Sequence, residues 1–346
     1  MARALTPWLL TVTACAVGVA GYQGYRTVQW MLAPLAAPAG PQASDTLRTI
    51  IIPEGATLKQ VASQLEREHV IRSRWGFLLL GRVRSADRRI PAGEYALHPG
   101  MSPAEILSEI LSGQVVLHSV TIPEGYTAAQ IADLLHQKGL TDGAEFMRLV
   151  RDREFIRSLD LDEAGLEGYL FPETYRFPRS AKAKEVVRAM VNGVSQALTP
   201  ELRARAKDLE MSVHDVLTLA SLVEKETGID EERELVSSVF HNRLRRRMPL
   251  QSDPTVIYGL ENFDGNLRKR DLGSMSPYNT YRVVGLPPGP IANPGTKSIR
   301  AALYPAAAQY LYFVSRNDGT HVFSSSLDEH NHAVERYQKR PARRAS

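Results

Sequence analysis

Cysteine is almost absent from this sequence. Its 346 residues include only Cys15, which lies in an apolar N-terminal segment. The remainder therefore has neither a disulfide bond nor a thiol nucleophile, which is compatible with an oxidising compartment. His330 and His332 ("HNH") are alternate residues of a predicted helix and point to different faces, and no further histidine or cysteine supports them as metal ligands. We therefore expect no metal and no cofactor.

The sequence also lacks a nucleic-acid-binding motif, although its formal net charge is +4 and its pI is about 9.1. Basic residues concentrate in "RLRRR" (243–247) and in the last eleven positions. Such an excess is typical of proteins that meet nucleic acid, anionic lipid or an acidic polymer, and charge alone does not choose among them. We interpret the first cluster as a solvated face and 336–346 as a disordered basic tail, and we expect no nucleic-acid partner.

Charge is missing from one long stretch, because no residue between Arg3 and Arg26 is charged. Roughly 20 apolar residues span a bilayer as a helix, and aromatic residues near both ends suit its interfaces. We predict a transmembrane helix over about 7–29, within an anchor of residues 1–32, with the bulk of the chain outside the cytoplasm. Two alternatives are a cleaved signal peptide and a lipoprotein processing site at "VTAC", which ends at Cys15.

An internal repeat follows an Ala- and Pro-rich linker at 33–46. "TIIIPEGATLKQVASQLEREHVI" and "SVTIPEGYTAAQIADLLHQKGLT" are offset by 70 residues. Each copy predicts a strand, a Pro-Glu-Gly turn and a helix capped by Thr57 or Thr127. We predict a small β/α module at 47–117, which is either a polysaccharide-binding module or a spacer. A second segment of this type, 118–158, opens a larger domain at 118–335.

Helices are predicted in that domain over 184–197, 200–209, 213–227 and 231–246. "YLYFVSRNDGTHVFS" predicts a hairpin through Asn317-Asp318-Gly319, and a last helix starts after Ser326. The order of elements predicts an α+β fold.

The helix over 213–227 ends in acid, "LTLASLVEKETG". Ser212 and Asp215 resemble a capping box at its start, with Asp in place of the usual Glu or Gln, and Gly228 is the expected stop. Glu224 lies above Leu217 and Ser221 on an apolar face, where burial and the helix C-terminus both disfavour a charged carboxylate. A carboxyl group kept protonated can serve as a general acid. Helical phase alone does not choose between Glu224 and Glu226, and a solvated helix tip is the plain alternative.

Most glycoside hydrolases pair two carboxylates. The second carboxylate could be Glu173, Glu226 or Asp253, and spacing does not decide among them. One carboxyl group is enough if the substrate supplies its own nucleophile.

Several long motifs resemble the YceG-like family of membrane-bound endolytic murein transglycosylases. They are "LASLVEKETG", "VFHNRLRRRMPLQSDPTVIYGL", "SPYNTYRVVGLPPGPIANPG" and "YLYFVSRNDGTHVFSSSLDEHN", in that order, with "GYLFPETYRFP" and the "PEG" module before them. The resemblance implies that the module at 47–117 is LysM-like. It also implies cleavage of the β-1,4 bond between N-acetylmuramic acid and N-acetylglucosamine in nascent strands, leaving 1,6-anhydromuramyl ends.

The resemblance assigns the catalytic acid to the first Glu of "VEKE", which is Glu224. Further residues in the matched motifs have side chains that suit a sugar site, although they could instead serve turn and core structure. These candidate binding residues are Asn242, Gln251, Asp253, Tyr278, Asn279, Thr280, Tyr281 and Glu173. "GLPPGPIANPG" (285–295) is expected to be a rigid loop and one wall of the groove. The implied partners are peptidoglycan strands, the inner membrane, penicillin-binding synthases and the elongation machinery. A non-catalytic, membrane-tethered peptidoglycan-binding scaffold is the alternative function, and a muramidase that uses water is a third.

Overall fold

The computed structural model describes residues 6–35, 47–86 and 90–339. They form two compact units, one built from residues up to His118 with Phe177–Ser180, the other from Ser119–Arg176 and the residues from Ala181 onward. Most of the predicted linker and residues 340–346 of the predicted tail lie outside the described residues, and 335–339 form a π-helical turn. The domain boundaries drawn from the sequence stay a prediction.

The first unit places two strands and several short helices around one core. Its elements are α1 (Thr6–Leu32), β1 (Arg48–Ile52), α2 (Leu58–Arg67), α3 (Arg74–Val83), β2 (Gly93–Leu97) and α4 (Pro103–Ser112). β1 pairs antiparallel with β2, with Ile50 opposite Tyr95. α2 starts at the predicted cap, where Thr57 and Gln60 form a capping box. Both strands and the apolar face of α2 contribute side chains to the core, which includes Ile50, Ile52, Val61, Leu65, Tyr95, Leu97 and Ile106.

The N-terminal helix predicted over 7–29 is present as α1, and a Cβ placed on Gly76 of α3 would lie 2.8 Å from Met31 Cβ of its last turn. Across residues 6–35, 47–86 and 90–339, however, no helix is both long and apolar enough to cross a membrane. The predicted span is therefore not supported by the structure. Polar side chains such as Gln23, Arg26 and Gln29 interrupt the apolar run in the second half of α1.

From residue 118 onward the chain is mainly helical. The elements are β3 (His118–Thr121), α5 (Ala128–Gln137), α6 (Gly143–Val150), α7 (Arg153–Arg157), β4 (Thr174–Phe177), α8 (Ala183–Ala197), α9 (Pro200–Asp208), α10 (Val213–Glu226), α11 (Asp230–Arg245), α12 (Asp253–Tyr258), α13 (Thr296–Leu303), β5 (Tyr312–Ser315), β6 (His321–Ser324) and α14 (Leu327–Val334). β3 pairs with β4, and β5 with β6 in the predicted antiparallel hairpin, where Asn317 and Gly319 have positive φ. The predicted α+β class is confirmed.

Helix α10 is the centre of the second unit. The four helices predicted between 184 and 246 are confirmed as α8–α11 to within one residue at each end. α10 packs against α9, α11, α12 and α13, and its residues from Val216 to Val223 are all buried. A helix that is apolar on every side needs such an enclosed position.

The two ends of α10 differ in how well the sequence predicted them. The capping box of Ser212 and Asp215 is confirmed. The helix does not run on to a glycine stop, because Thr227 is extended (φ −142°, ψ 136°) and ends α10 at Glu226. Glu226 is therefore the last helical residue, and the chain turns sharply after it into α11.

Candidate active site

Glu224 and Glu226 lie two residues apart on α10, so their side chains leave the helix in nearly opposite directions. The Glu224 carboxylate is 6 % exposed and faces α11 and the start of α13. Glu226 is enclosed on another side, next to the chain that enters α12. Helical phase did not show which of the two glutamates is the candidate general acid. The surroundings of the two carboxyl groups can now be compared to decide it.

Both oxygens of Glu224 have a donor within the protein. Arg233 on α11 donates from Nη1 to Oε1 at 3.2 Å, and the Gly295 backbone N–H donates to Oε2 at 3.0 Å. Arg233 is 7 % exposed and also donates to Asp230 and Ser298. Glu224 and Arg233 therefore form a buried ion pair, in which each partner depends on the other, at the inner end of a network whose second acid, Asp230, is 47 % exposed.

A second carboxylate, Glu124, approaches this network from the Pro-Glu-Gly turn of the second repeat. A Cβ placed on Gly125 would lie 3.5 Å from Cγ of Glu224, and one placed on Gly295 would lie 1.8 Å from Oε1 of Glu124. Partial burial, followed by the negative charge of Glu224, raises the pKa of Glu124. Sequence reasoning missed Glu124 as a partner, although the 70-residue repeat had marked its turn; Arg233 and Gly295 carried no such signal.

Glu226 has a different environment. The Ser252 hydroxyl donates to its Oε1 at 2.5 Å. Burial raises the pKa of Glu226 to about 7, and the charge of Asp253 acts in the same direction, while the Ser252 hydrogen bond and the Arg243 guanidinium oppose them. Near neutral pH this carboxyl group is divided between its protonated and ionised forms, as a general acid requires.

Glu226 lines a cavity of about 460 Å³, a volume in the range of ligand sites. We call it the Glu226 cavity. Three residues predicted to bind sugar share it: Gln251, Asp253 and Tyr281. The remaining lining residues are Arg243, Leu250, Tyr312, Phe313, Leu327, His330 and Asn331.

The loop that carries Gln251 and Asp253 is held by the backbone. Gln251 adopts a left-handed φ of 52°, and its N–H donates to the Thr280 carbonyl at 3.0 Å. The next N–H, of Ser252, donates to Thr280 Oγ1 at 3.0 Å. Tyr281 then donates from its hydroxyl to Asp253 Oδ1 at 2.6 Å. Buried Thr280 therefore fixes the loop, and the side chains around it face the cavity.

Five predicted binding residues lie outside the cavity lining, and three of them have structural roles. Asn279 is fully buried and donates to the Leu272 and Ser274 carbonyls, and Thr280 bonds Thr255 as well as the Gln251 loop. Asn242 is 6 % exposed and donates to the carbonyls of residues 308 and 310. Their hydrogen-bonding capacity is used within the protein, because buried amides need partners.

Tyr278 and Glu173 are the other two. The Tyr278 ring packs on Tyr258 with centroids 4.9 Å apart. Glu173 is exposed, and its carbonyl accepts from the Ile122 N–H at 2.9 Å. Neither residue faces Glu226 across the cavity.

Comparison with known proteins assigns this chain to a family. The model of the YceG-like family matches residues 50–336. This chain belongs to the YceG-like family.

Its relatives include a protein of Bacillus subtilis (strain 168) named "Endolytic murein transglycosylase", 35 % identical over 310 residues, covering 85 % of this chain and 86 % of that protein. A protein of the same name from Streptococcus pneumoniae (strain D39) is 32 % identical over 347 residues; the match covers 91 % of this chain but only 62 % of the pneumococcal protein. The crystal structure of a yceG-like protein from Listeria monocytogenes superposes with a TM-score of 0.58 at 35 % identity, over 84 % of this chain and 99 % of that one.

In this YceG-like chain only the second part of the loop at 285–295, expected to form a groove wall, is continuously buried, and the groove wall stays a prediction. Residues 289–295 are buried. Ile291 donates its N–H to Ser221 Oγ at 3.0 Å, and Asn293 donates to Glu167 Oε1 at 2.9 Å. Burial raises the pKa of Glu167 to about 7, although Ala128, Tyr258 and Asn293 all donate to its carboxylate. Pro and Gly serve here to pass a chain through the interior, since few other residues fit so closely.

His330, expected on a solvated helix, lies instead at the Glu226 cavity. Its ring stacks on Tyr312 with centroids 5.1 Å apart and an interplanar angle of 25°. Burial, with Arg243 nearby, lowers the pKa of His330, so the ring is neutral at neutral pH. The two rings form an aromatic part of the cavity lining, which also includes Gln251 and Asp253 of the polar loop.

Proposed function

We propose that this chain is a peptidoglycan lytic transglycosylase that cleaves within glycan strands, with Glu226 as its acid and base. The observation that carries the proposal is a buried carboxyl group with a pKa of about 7 at the wall of a cavity of about 460 Å³. Three relatives named endolytic murein transglycosylase, at 32–35 % identity, support the substrate class.

Glu226 suits the role of acid better than Glu224, which the family resemblance had assigned. A general acid must hold a proton and reach the substrate. Both Glu224 oxygens accept hydrogen bonds from Arg233 and Gly295, so substrate would have to displace a buried ion pair. Glu226 has one hydrogen bond, from Ser252, and lines open space. Glu224 as the acid stays a prediction, which a Glu224→Gln variant tests in the same digestion.

The reaction needs only this carboxyl group and the substrate. Protonated Glu226 gives its proton to the glycosidic oxygen between N-acetylmuramic acid and N-acetylglucosamine, and the C1–O bond breaks. The resulting carboxylate takes the proton of the muramyl C6 hydroxyl as that oxygen bonds to C1. The products are a 1,6-anhydromuramyl end and a free 4-hydroxyl, no water is consumed, and Glu226 is protonated again. An intramolecular nucleophile has a large effective molarity, which removes the need for a positioned water.

The cavity walls fit a glycan substrate. Gln251 and Asp253 contribute amide and carboxylate groups to the lining, and Tyr312 and His330 contribute aromatic rings to it. The charge of Asp253 also favours the positive charge that develops at C1 in an oxocarbenium-like transition state. We assign substrate binding to Gln251, Asp253, Tyr281, Tyr312 and His330.

One observation favours a second candidate, hydrolysis by water. Asp253 is exposed on the same cavity as Glu226, so two carboxyl groups are available, as in most glycoside hydrolases. Hydrolysis would leave reducing muramyl ends instead of anhydro ends. A non-catalytic scaffold would bind strands without cutting them.

Location and accessory binding are further parts of the proposal. Because peptidoglycan lies outside the cytoplasm, we place the site there, at the outer side of the cytoplasmic membrane, with the uncharged segment between Arg3 and Arg26 in support of attachment. The β1–α2–α3–β2 order supports a LysM-like module over 47–117.

Contact with penicillin-binding synthases stays a prediction. Membrane fractionation of cells tests the location: recovery of the protein in the soluble cytoplasmic fraction would contradict it.

Digestion of purified peptidoglycan tests the activity. Full-length wild type and Glu226→Gln are incubated with intact sacculi, and the released strands are analysed by mass spectrometry. We expect anhydromuramyl ends from the wild type and none from the variant. Reducing ends, heavier by one water, would establish hydrolysis and direct attention to Asp253. Binding by both proteins without cleavage would favour the scaffold.

A further inference from the structure

Helix α3 of the first unit is apolar on two opposite sides. Its inward side is buried at Gly76, Phe77 and Gly81. The two glycines allow close packing, since a Cβ on Gly81 would lie 2.5 Å from the Leu58 side chain of α2. Leu78 and Leu80 also pack against the core, so the apolar residues of α3 that the core does not explain are Trp75, Leu79 and Val83.

The outward side carries Trp75, Leu79 and Val83, which are 60 %, 51 % and 76 % exposed. Their spacing of four residues places them in one row along the helix, which we call the α3 stripe. The outward face of a helix on a soluble protein is ordinarily polar, and a helix that is apolar all round is ordinarily buried. A Trp, a Leu and a Val in one exposed row therefore indicate a surface that meets an apolar partner.

Arginines flank the stripe. Arg74, Arg82 and Arg84 are exposed at the two ends of α3, and α3 itself contains no acidic residue. The Arg74 guanidinium lies 5.2 Å from the Trp75 ring centroid. Glu66 of α2 pairs with Arg74, with Nε and Oε2 3.7 Å apart, but the charged side chains of α3 and its C-cap are all positive, which suits an anionic partner.

The same unit carries more exposed apolar side chains next to this helix. α1, whose last turn packs on Gly76 of α3, exposes Val28 and Trp30 at 39 % and 56 %. Arg72 fixes the end of α1 to the unit by donating to the Pro34 and Leu35 carbonyls. Two neighbouring helices therefore both present apolar side chains to the exterior.

We propose that the α3 stripe docks on an anionic lipid surface. Apolar side chains enter the boundary between headgroups and acyl chains, a Trp ring suits that depth, and arginines bind lipid phosphates. An arginine near an anionic surface contributes about 1 kcal/mol, which is about fivefold in binding for each one. The stripe lies on the membrane instead of crossing it, so it needs no long apolar helix.

Trp75 is the probe for this proposal. In full-length protein carrying Trp8→Phe and Trp30→Phe, Trp75 is the sole tryptophan. Its fluorescence is measured with vesicles of phosphatidylglycerol and phosphatidylcholine whose acyl chains carry bromine, which quenches tryptophan only at short range. We expect quenching with the anionic vesicles, weakened about fivefold in lipid affinity by each of Arg82→Ser and Arg84→Ser, and little with pure phosphatidylcholine. This readout reports the stripe directly, even if α1 alone holds the protein on the vesicle.

Leu79→Ser with Val83→Ser should reduce the quenching, whereas Met275→Ser with Val284→Ser, equally exposed in the second unit, should not. All four positions are exposed, so folding is checked by circular dichroism and is expected to be unchanged. Unquenched Trp75 on vesicles that bind the protein would overturn the proposal. So would a dimer, seen in sedimentation, that Leu79→Ser with Val83→Ser dissociates, because the stripe would then cover a second copy of the chain.

Discussion

Replacing Glu226 by glutamine should abolish cleavage while leaving the fold intact. Glutamine keeps the shape of the side chain and can still accept the Ser252 hydrogen bond, but it can neither give nor take a proton. One carboxyl group performs both proton transfers in the proposed reaction. Its loss therefore affects both the protonation of the glycosidic oxygen and the deprotonation of the C6 hydroxyl. General acid–base catalysis contributes about 10²–10⁴-fold, so kcat should fall by about that factor with KM nearly unchanged.

The structure explains why this carboxyl group is suitable. With a pKa of about 7, roughly half of Glu226 is protonated at pH 7, whereas a glutamate with the ordinary pKa of about 4.5 would be protonated in about 1 molecule in 300. Burial therefore increases the available acid about 150-fold at neutral pH. Activity should decline as the pH rises through 7, because the proton donor is lost.

The assay is strand cleavage followed by mass spectrometry over a pH series, and Glu224→Gln is the matched control. That variant removes an equivalent carboxyl group two residues away, on a side chain paired with Arg233. We expect it to lower stability and to change kcat far less than Glu226→Gln. If Glu224→Gln abolished cleavage and Glu226→Gln retained it, the inference from burial and cavity would be refuted and Glu224 would be the acid.

Three further predictions concern stability. Arg233→Ala should destabilise the fold by about 3–5 kcal/mol in urea unfolding, because it leaves the buried Glu224 carboxylate without its partner; an effect below 1 kcal/mol would show that water replaces the guanidinium. Gly168→Ala should cost at least roughly 1–3 kcal/mol by thermal unfolding, since Gly168 has φ +82° and its added Cβ would lie 2.4 Å from Pro290. Burial raises the folded-state pKa of Glu226 above its unfolded value, so the stability that Glu226 contributes is present below pH 4.5 and is lost as the pH rises to about 7. Glu226→Gln should remove this loss, so the variant should be about 3 kcal/mol more stable than wild type at pH 8 in urea titrations. If the stability of both proteins depended on pH in the same way, the assigned pKa would be contradicted.

Local patterns in the sequence predicted most of the secondary structure. The helices α8–α11 and the start of α10 followed from apolar spacing and capping residues, and the β5–β6 hairpin followed from Asn317-Asp318-Gly319. These signals act between residues close in sequence, which is why they can be read without a fold. The end of α10 escaped prediction, because Thr227 in an extended conformation stops the helix without a glycine.

The candidate binding residues show the limit of motif matching. Gln251, Asp253 and Tyr281 line the cavity, whereas Asn242, Asn279 and Thr280 lie in the same motifs and brace the chain beneath it. A polar residue in a motif can contact substrate or hold a loop, and the sequence does not show which of them is buried.

The sequence by itself determined the family, the α+β class and the acidic end of α10, because these depend on the order and spacing of residues along the chain. Only the tertiary structure decided which acid faces open space. The environment of Glu224 comes from Arg233 and Gly295, and that of Glu226 comes from Ser252 and the cavity. A carboxyl group's protonation depends on burial and on charges within a few ångströms, and folding brings those neighbours from other parts of the chain.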